Sequence, residues 1–287
     1  MGQFNSSVTR VWPVFDCLFA QDSTGEAWLK SLLSLGSKIS AWVPKDLGPL
    51  LPDLARVEKS LPASVRRAVG PERAQRIGLI RNAFECDLPP SEIFLRWLIE
   101  HPQSLTWPTP YVMGDQTERK RRELMAGNLK TRAEGLAELA LCGPSRSQRK
   151  WWAFEGFTSV DCYLETQSLV LLIEGKRTEP VSAATIWYPR RNQLLRNLEV
   201  AKAAAGGKKD YAVLLCSECP MSLTEEDWTM SYPHLSGPEI AELKRHYLGY
   251  VLWSDIVRHL CPTLTLPHDV DEAIQQRRVL LRLDRAE

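Results

Sequence analysis

The stretch LVLLIEGKRTEP, Leu169 to Pro180, decides how this chain is read. Apolar residues run unbroken from Leu169 to Ile173 and end on Glu174, with Gly175, Lys176 and Arg177 following. A short apolar run of this kind predicts a strand buried on both faces. Alternate side chains of a strand share a face, so Glu174 and Lys176 point the same way, with Val170 and Leu172 on that face inside the core. A carboxylate and an amine side by side at the exit of a rigid strand are positioned for chemistry.

Upstream, TSVDCYLET predicts a strand that folds back on this one around Thr166-Gln167-Ser168. That hairpin brings Asp161 close to Glu174, although 12 residues separate them in the chain. Two carboxylates, a backbone carbonyl and waters suit Mg²⁺, or Mn²⁺, as hard ions with oxygen ligands. Such an ion orients and activates water and neutralises phosphate charge. Lys176 then supports the developing negative charge or the water.

Further out, WWAFEGF (151–157) also has a strand-like texture. Gln116 to Leu141 predicts one long helix, ended by Gly143-Pro144. Pro189 to Ala205 is helical and stops at Gly206-Gly207, and DYAVLLCSE predicts a central strand. SGPE at Ser236 caps another helix, and GYVLWSDIV turns from strand to helix. Residues 1–110 predict a helical accessory region cut by prolines. Its helices are expected over Ala27–Ser40, after Gly70-Pro71, and from Ser91.

Asp161 followed by Glu174-Gly175-Lys176, within this order of elements, resembles the PD-(D/E)XK nuclease superfamily. Val160 stands where that motif often has proline. The resemblance implies an α/β, restriction-endonuclease-like fold over 111–287: a mixed central sheet flanked by helices, beside the helical N-terminal region. It implies a metal-dependent nuclease acting on nucleic acid, DNA before RNA, with Asp161 and Glu174 as metal ligands and Lys176 catalytic. By the same resemblance, Glu134 or Glu138 on the first core helix faces the metal, and Gln193 on the helix after the third strand meets the site. The competing class is a non-catalytic module on the same fold that binds nucleic acid or protein. A homodimer or larger complex fits either reading.

A formal net charge of +1 excludes a uniformly basic surface, so affinity for nucleic acid must come from local patches. Between Glu118 and Lys150, basic residues including Arg121, Arg122, Arg149 and Lys150 outnumber the acids. Arg190 and Arg191 flank a helix N-terminus, which favours anions. These six are the candidate phosphate contacts, against the alternative of solvated helix faces.

Hydrophobic and charged fractions of 44% and 25% are those of a globular chain able to bury a core. Seven scattered cysteines predict free thiols and a cytoplasmic setting rather than a disulfide scaffold. No apolar run reaches the roughly 18 residues of a membrane span, and MGQFNSSVTR lacks signal-peptide regions. Gly2 with Ser6 fits a loose myristoylation pattern. GKRT at 175–178 lacks the earlier glycine of a phosphate-binding loop, since Val170 occupies that place. The lone Cys216-Ser-Glu-Cys219 lacks the second ligand pair of a structural zinc site, and no histidine pair has ligand spacing.

Overall fold

The computed structural model describes residues 5–37, 46–51, 85–109 and 113–283. The helix expected after Gly70-Pro71 and the pattern at Gly2 lie outside them.

A π-helical turn, Ser7–Val11, runs into α1, Trp12–Gln21, and α2 is Leu29–Ser34. The short β1, Cys86–Leu88, precedes α3, Glu92–Glu100, whose N-cap Ser91 accepts from the Phe94 N–H. Next come α4, Asp115–Met125, and α5, Leu129–Cys142. Three strands follow: β2, Thr158–Val160; β3, Cys162–Glu165; and β4, Leu169–Gly175. The remainder alternates: α6, Gln193–Ala205; β5, Asp210–Ser217; α7, Glu225–Ser231; α8, Gly237–Arg245; β6, Tyr247–Leu252; α9, Trp253–Leu260; α10, Val270–Leu283.

The chain is therefore mixed α/β, with helices flanking two sheets. The larger sheet has the order β3-β4-β5-β6, and β1 pairs with β2 in a separate ribbon. The strands β3 and β4 form the expected antiparallel hairpin, with Cys162 opposite Ile173. The neighbours β4, β5 and β6 are parallel, so their connections must cross over the sheet, as α6 and the α7–α8 pair do.

All seven residues of β4 are buried, as its apolar run demands. Leu171, Ile173, Leu214 and Val251 meet α1, α2, α9 and α10 on one face. Val170, Leu172, Val213 and Leu215 meet α6 and α7 on the other. Each such aliphatic side chain contributes about 1.5–3 kcal/mol by leaving water. A third core joins α3, α4 and α5 to Trp151, Trp152, Phe154 and Trp187.

Three expectations need correction. The described part of residues 1–110 is not a helical body of its own. Val11, Trp12, Phe15 and Leu18 belong to the core that covers one face of the large sheet, and β1 pairs with β2 from beyond residue 110. The long helix expected over Gln116–Leu141 is two helices. Gly127 between them has φ +83°, a left-handed conformation that glycine tolerates, and Asn128 caps α5 by accepting from the Thr131 N–H. WWAFEGF forms turns rather than a strand; Trp151 and Trp152 are anchored in the third core.

No helix among the described residues is long and apolar enough to cross a membrane. All seven cysteines are free thiols; Cys216 is buried in β5 and Cys219 is exposed.

Candidate active site

Strand alternation turns Glu174 toward α6, where its carboxylate is almost wholly buried at 1% exposure. Burying a carboxylate requires partners, and three side chains supply them. Lys176 Nζ and Gln193 Nε2 both donate to Oε1, at 2.8 and 2.6 Å. Asn197 Nδ2 donates to Oε2 at 3.1 Å, and Asn197 Oδ1 accepts from Thr158 Oγ1 at 3.1 Å. Gln193 and Asn197 lie four residues apart in α6, so one helix face presents both amides. The N-cap Asn192, whose side chain accepts from the Leu194 N–H, fixes where that helix begins.

Asp161 stands where the chain leaves one sheet for the other. Extending the β3–β4 register by one residue sets it opposite Glu174; extending the β1–β2 register sets it opposite Glu85. Its Oδ2 accepts from the Gly175 N–H at 2.8 Å. Burial pushes the Asp161 carboxyl well above the ordinary carboxylate range, and the charge of Glu174 pushes it further. The Gly175 hydrogen bond and Lys176 act the other way.

Gly175 is held to glycine by close approach. A Cβ there would stand 2.2 Å from Val11 Cγ2 and 3.2 Å from Trp253 Cζ2. Beyond it the strand end is pinned twice: the Lys176 N–H donates to the Cys216 carbonyl, and the Trp253 indole donates to the Lys176 carbonyl.

Asp161, Glu174, Lys176 and Gln193 thus converge at the carboxyl end of the central strands. The other expected residues stand elsewhere. Glu134 pairs with Lys120, and Glu138 accepts from the indoles of Trp151 and Trp152 at 3.3 and 2.9 Å. Their helix packs in the third core, so the expectation that either faces the Asp161 site is corrected. Among the described residues no group of three His, Cys, Asp or Glu side chains is disposed to hold a metal. The Asp161–Glu174 pair still suits a hard ion. Both are oxygen donors, the position is enclosed, and their mutual repulsion is the kind of strain a divalent cation relieves.

Two of the six candidate phosphate contacts are structural. Arg121 is buried; its guanidinium donates to the Trp151 and Ala153 carbonyls and covers Trp187. Arg191 is completely buried, forked onto Glu155 at 2.9 and 3.3 Å, with Glu199 at 2.6 Å and the Phe94 ring beneath it. Neither can reach a phosphate in solution. Arg122 pairs with Glu118 over the Trp107 ring, and Arg190 contacts Met230 Sδ. Arg149 and Lys150 line a cleft together with Arg196.

Three residues near the site escaped the reading of the sequence. Asn197 carried a signal, four residues after Gln193 on the same helix. Arg196 sat beside it without a pattern to mark it. Glu85 had no local signal, because only the pairing of β1 with β2 brings it to Asp161.

Comparison with known proteins finds no matching family model, no matching curated protein and no matching solved structure.

Proposed function

We propose that the chain is a metal-dependent phosphodiesterase cutting nucleic acid, DNA before RNA, on a restriction-endonuclease-like domain. The observation that carries this is the convergence of Asp161, Glu174 and Lys176 at one strand end, with Lys176 Nζ 2.8 Å from Glu174 Oε1. The hairpin, crossover helix and parallel strand around it agree with that fold. Free thiols fit the cytoplasm.

In this reading Asp161 and Glu174 would hold Mg²⁺ or Mn²⁺. The ion, when bound, supplies neutralisation of phosphate charge and a more acidic water. Gln193 and Asn197 fix the orientation of the Glu174 carboxylate. Lys176 Nζ, held beside Glu174 Oε1, would offer a proton donor and positive charge to the reacting phosphate. The Cys216 carbonyl ties the lysine's backbone to β5, and Trp253 ties it to α9.

The test is cleavage of plasmid and single-stranded DNA against Mg²⁺ concentration, with metal affinity measured by calorimetry. Asp161→Ala and Glu174→Ala should lose both activity and metal affinity. Lys176→Ala should keep the metal and lose about 10²–10³ in rate. Cleavage by Glu174→Ala at the wild-type rate, with wild-type metal affinity, would overturn the assignment. A non-catalytic nucleic-acid-binding module is the second reading. It is favoured by the engagement of Glu174 with three donors and the lack of a third ligand among the described residues. Retained DNA binding with no cleavage in either ion would select it.

A further inference from the structure

One face of α6 serves Glu174; the neighbouring residue Arg196 lines a different space. That space is a cleft of about 570 Å³, enclosed by the loop after α5, by Phe154 to Phe157, and by the segment before Tyr188. Its lining contains Arg121, Arg149, Lys150 and Arg196 and, among the described residues, no carboxylate. In a chain of net charge +1, four cations around one cleft without an acid make a concentrated positive field.

The four differ in what already holds them. Arg121 is committed to two backbone carbonyls. Arg149 is exposed at the rim, and Lys150 is half-buried. Arg196 is half-buried, yet its Nε is shut away from solvent and donates to nothing among the described residues. The acids within electrostatic reach of it are Glu155 and Glu174. Both have closer partners: Arg191 forks onto Glu155, and Lys176, Gln193 and Asn197 donate to Glu174. Burial accordingly lowers the Arg196 pKa, and Arg191 lowers it further. A half-buried guanidinium whose Nε has no acceptor gains from an anion that supplies one.

The walls are of another kind. Phe157 is half-buried, Phe154 and Trp187 are buried behind it, and Ile186 stands 61% exposed at the lip. Cations beside an aromatic and aliphatic wall match the two parts of a nucleotide, its phosphate and its base. The volume lies within the range of pockets that enclose one small molecule, and it has no room for a duplex.

We propose that this cleft binds one nucleotide of an unpaired nucleic-acid strand, its phosphate on Arg196 and Lys150 and its base against Phe157. The inference rests on the nuclease reading for the path of the strand, since Arg196 lies within electrostatic reach of Glu174. It names the substrate that reading left open: a single strand, or a duplex locally opened.

The test is fluorescence anisotropy of a labelled oligothymidylate, titrated in EDTA so that nothing is cut, over a series of salt concentrations. The same sequence as a duplex is the comparison. Arg196→Gln and Lys150→Gln should each weaken single-strand binding about tenfold or more. Each should flatten the dependence of log K on log salt by about 0.7, the share of one phosphate that the protein no longer neutralises. Phe157→Ala should weaken binding about tenfold without changing that slope. Duplex affinity should change far less. If Arg196→Gln fails to fold, Lys150→Gln and Phe157→Ala carry the same readings. Unchanged single-strand affinity and slope in these variants would overturn the proposal, as would an equal loss on duplex. Cleavage in Mg²⁺ is scored separately. Arg196-dependent binding without cleavage rejects the nuclease reading and keeps the strand site, whereas cleavage without Arg196-dependent binding rejects the strand site alone.

Discussion

The indole Nε1 of Trp253 donates to the carbonyl oxygen of Lys176 across 2.8 Å, tying the first residue of α9 to the residue just beyond β4. Trp253 is fully buried, and its ring also touches the space above Gly175. Trp253→Phe keeps most of the packing and leaves that carbonyl short of a donor. The expected loss is about 1–3 kcal/mol, and each kcal/mol lowers Tm by about 2–4 °C. Thermal unfolding followed by circular dichroism measures it. In the proposed nuclease the same change should lower kcat more than it raises KM, because it loosens Lys176 and not the strand site.

Gly175→Ala should destabilise by about 1–3 kcal/mol through overpacking, since the new methyl meets Val11 at 2.2 Å. Adding Val11→Ala should recover part of that loss. Urea unfolding of the single and double variants gives the coupling, and simple additivity would show that the two positions do not meet.

Asp161 ties stability to pH with a definite sign. Its carboxyl titrates above the ordinary value in the folded chain, so between the unfolded value near 3.8 and the higher folded value the folded state holds the extra proton. Stability from this group is full below the unfolded value and is lost as pH rises through the folded one. Asp161→Asn keeps an acceptor for the Gly175 N–H and removes the charge. It should therefore be more stable than wild type at neutral pH and lose that advantage in acid. Added Mn²⁺ should raise the Tm of wild type and leave Asp161→Asn unmoved. Identical pH profiles for the two proteins would refute the shift.

Glu199 behaves oppositely. Burial pushes it up, but Arg191 and His234 outweigh burial and hold it down to about 2. Its contribution is present above the unfolded value near 4.5 and fades as pH falls toward 2. Arg191→Met strands Glu155 in the core, leaves Glu199 with His234 and Ser91 alone, and should cost about 3–5 kcal/mol, while Arg190→Ser on the exposed side should change stability by less than about 0.5 kcal/mol. Chemical denaturation of both variants across acid pH checks the pair.

The sequence made some of this legible and hid the rest for identifiable reasons. The strand Leu169–Gly175 is unmistakable because its apolar run is too short for a helix and ends in charge. The hairpin with Asp161 follows from a turn between two such runs, and Gln193 follows from its place at the start of the next helix. Each of those inferences uses neighbours in the chain. Arg191 could not be told from Arg190 in that way. Its burial depends on a fork of two glutamates, one before β2 and one in α6, meeting a single guanidinium. Arg121 is likewise claimed by backbone carbonyls 30 or more residues away. Glu138 reads as a surface acid until Trp151 and Trp152 are seen to turn their indoles toward it. The break at Gly127 was visible as a residue type, but helical periodicity on both sides masked it.

The helix α1 and the turn before it form part of the wall against which β4 is built, which bears on how the protein can be handled. A shortened chain starting at residue 111 would retain Asp161, Glu174 and Lys176 in sequence. It would strip α1 and α2 from the face that carries Leu171, Ile173 and Leu214, leaving α9 and α10 to cover it in part, and Gly175 without the Val11 neighbour that closes over it. Such a fragment exposes apolar surface that the whole chain covers, which favours self-association over a clean assay of its chemistry.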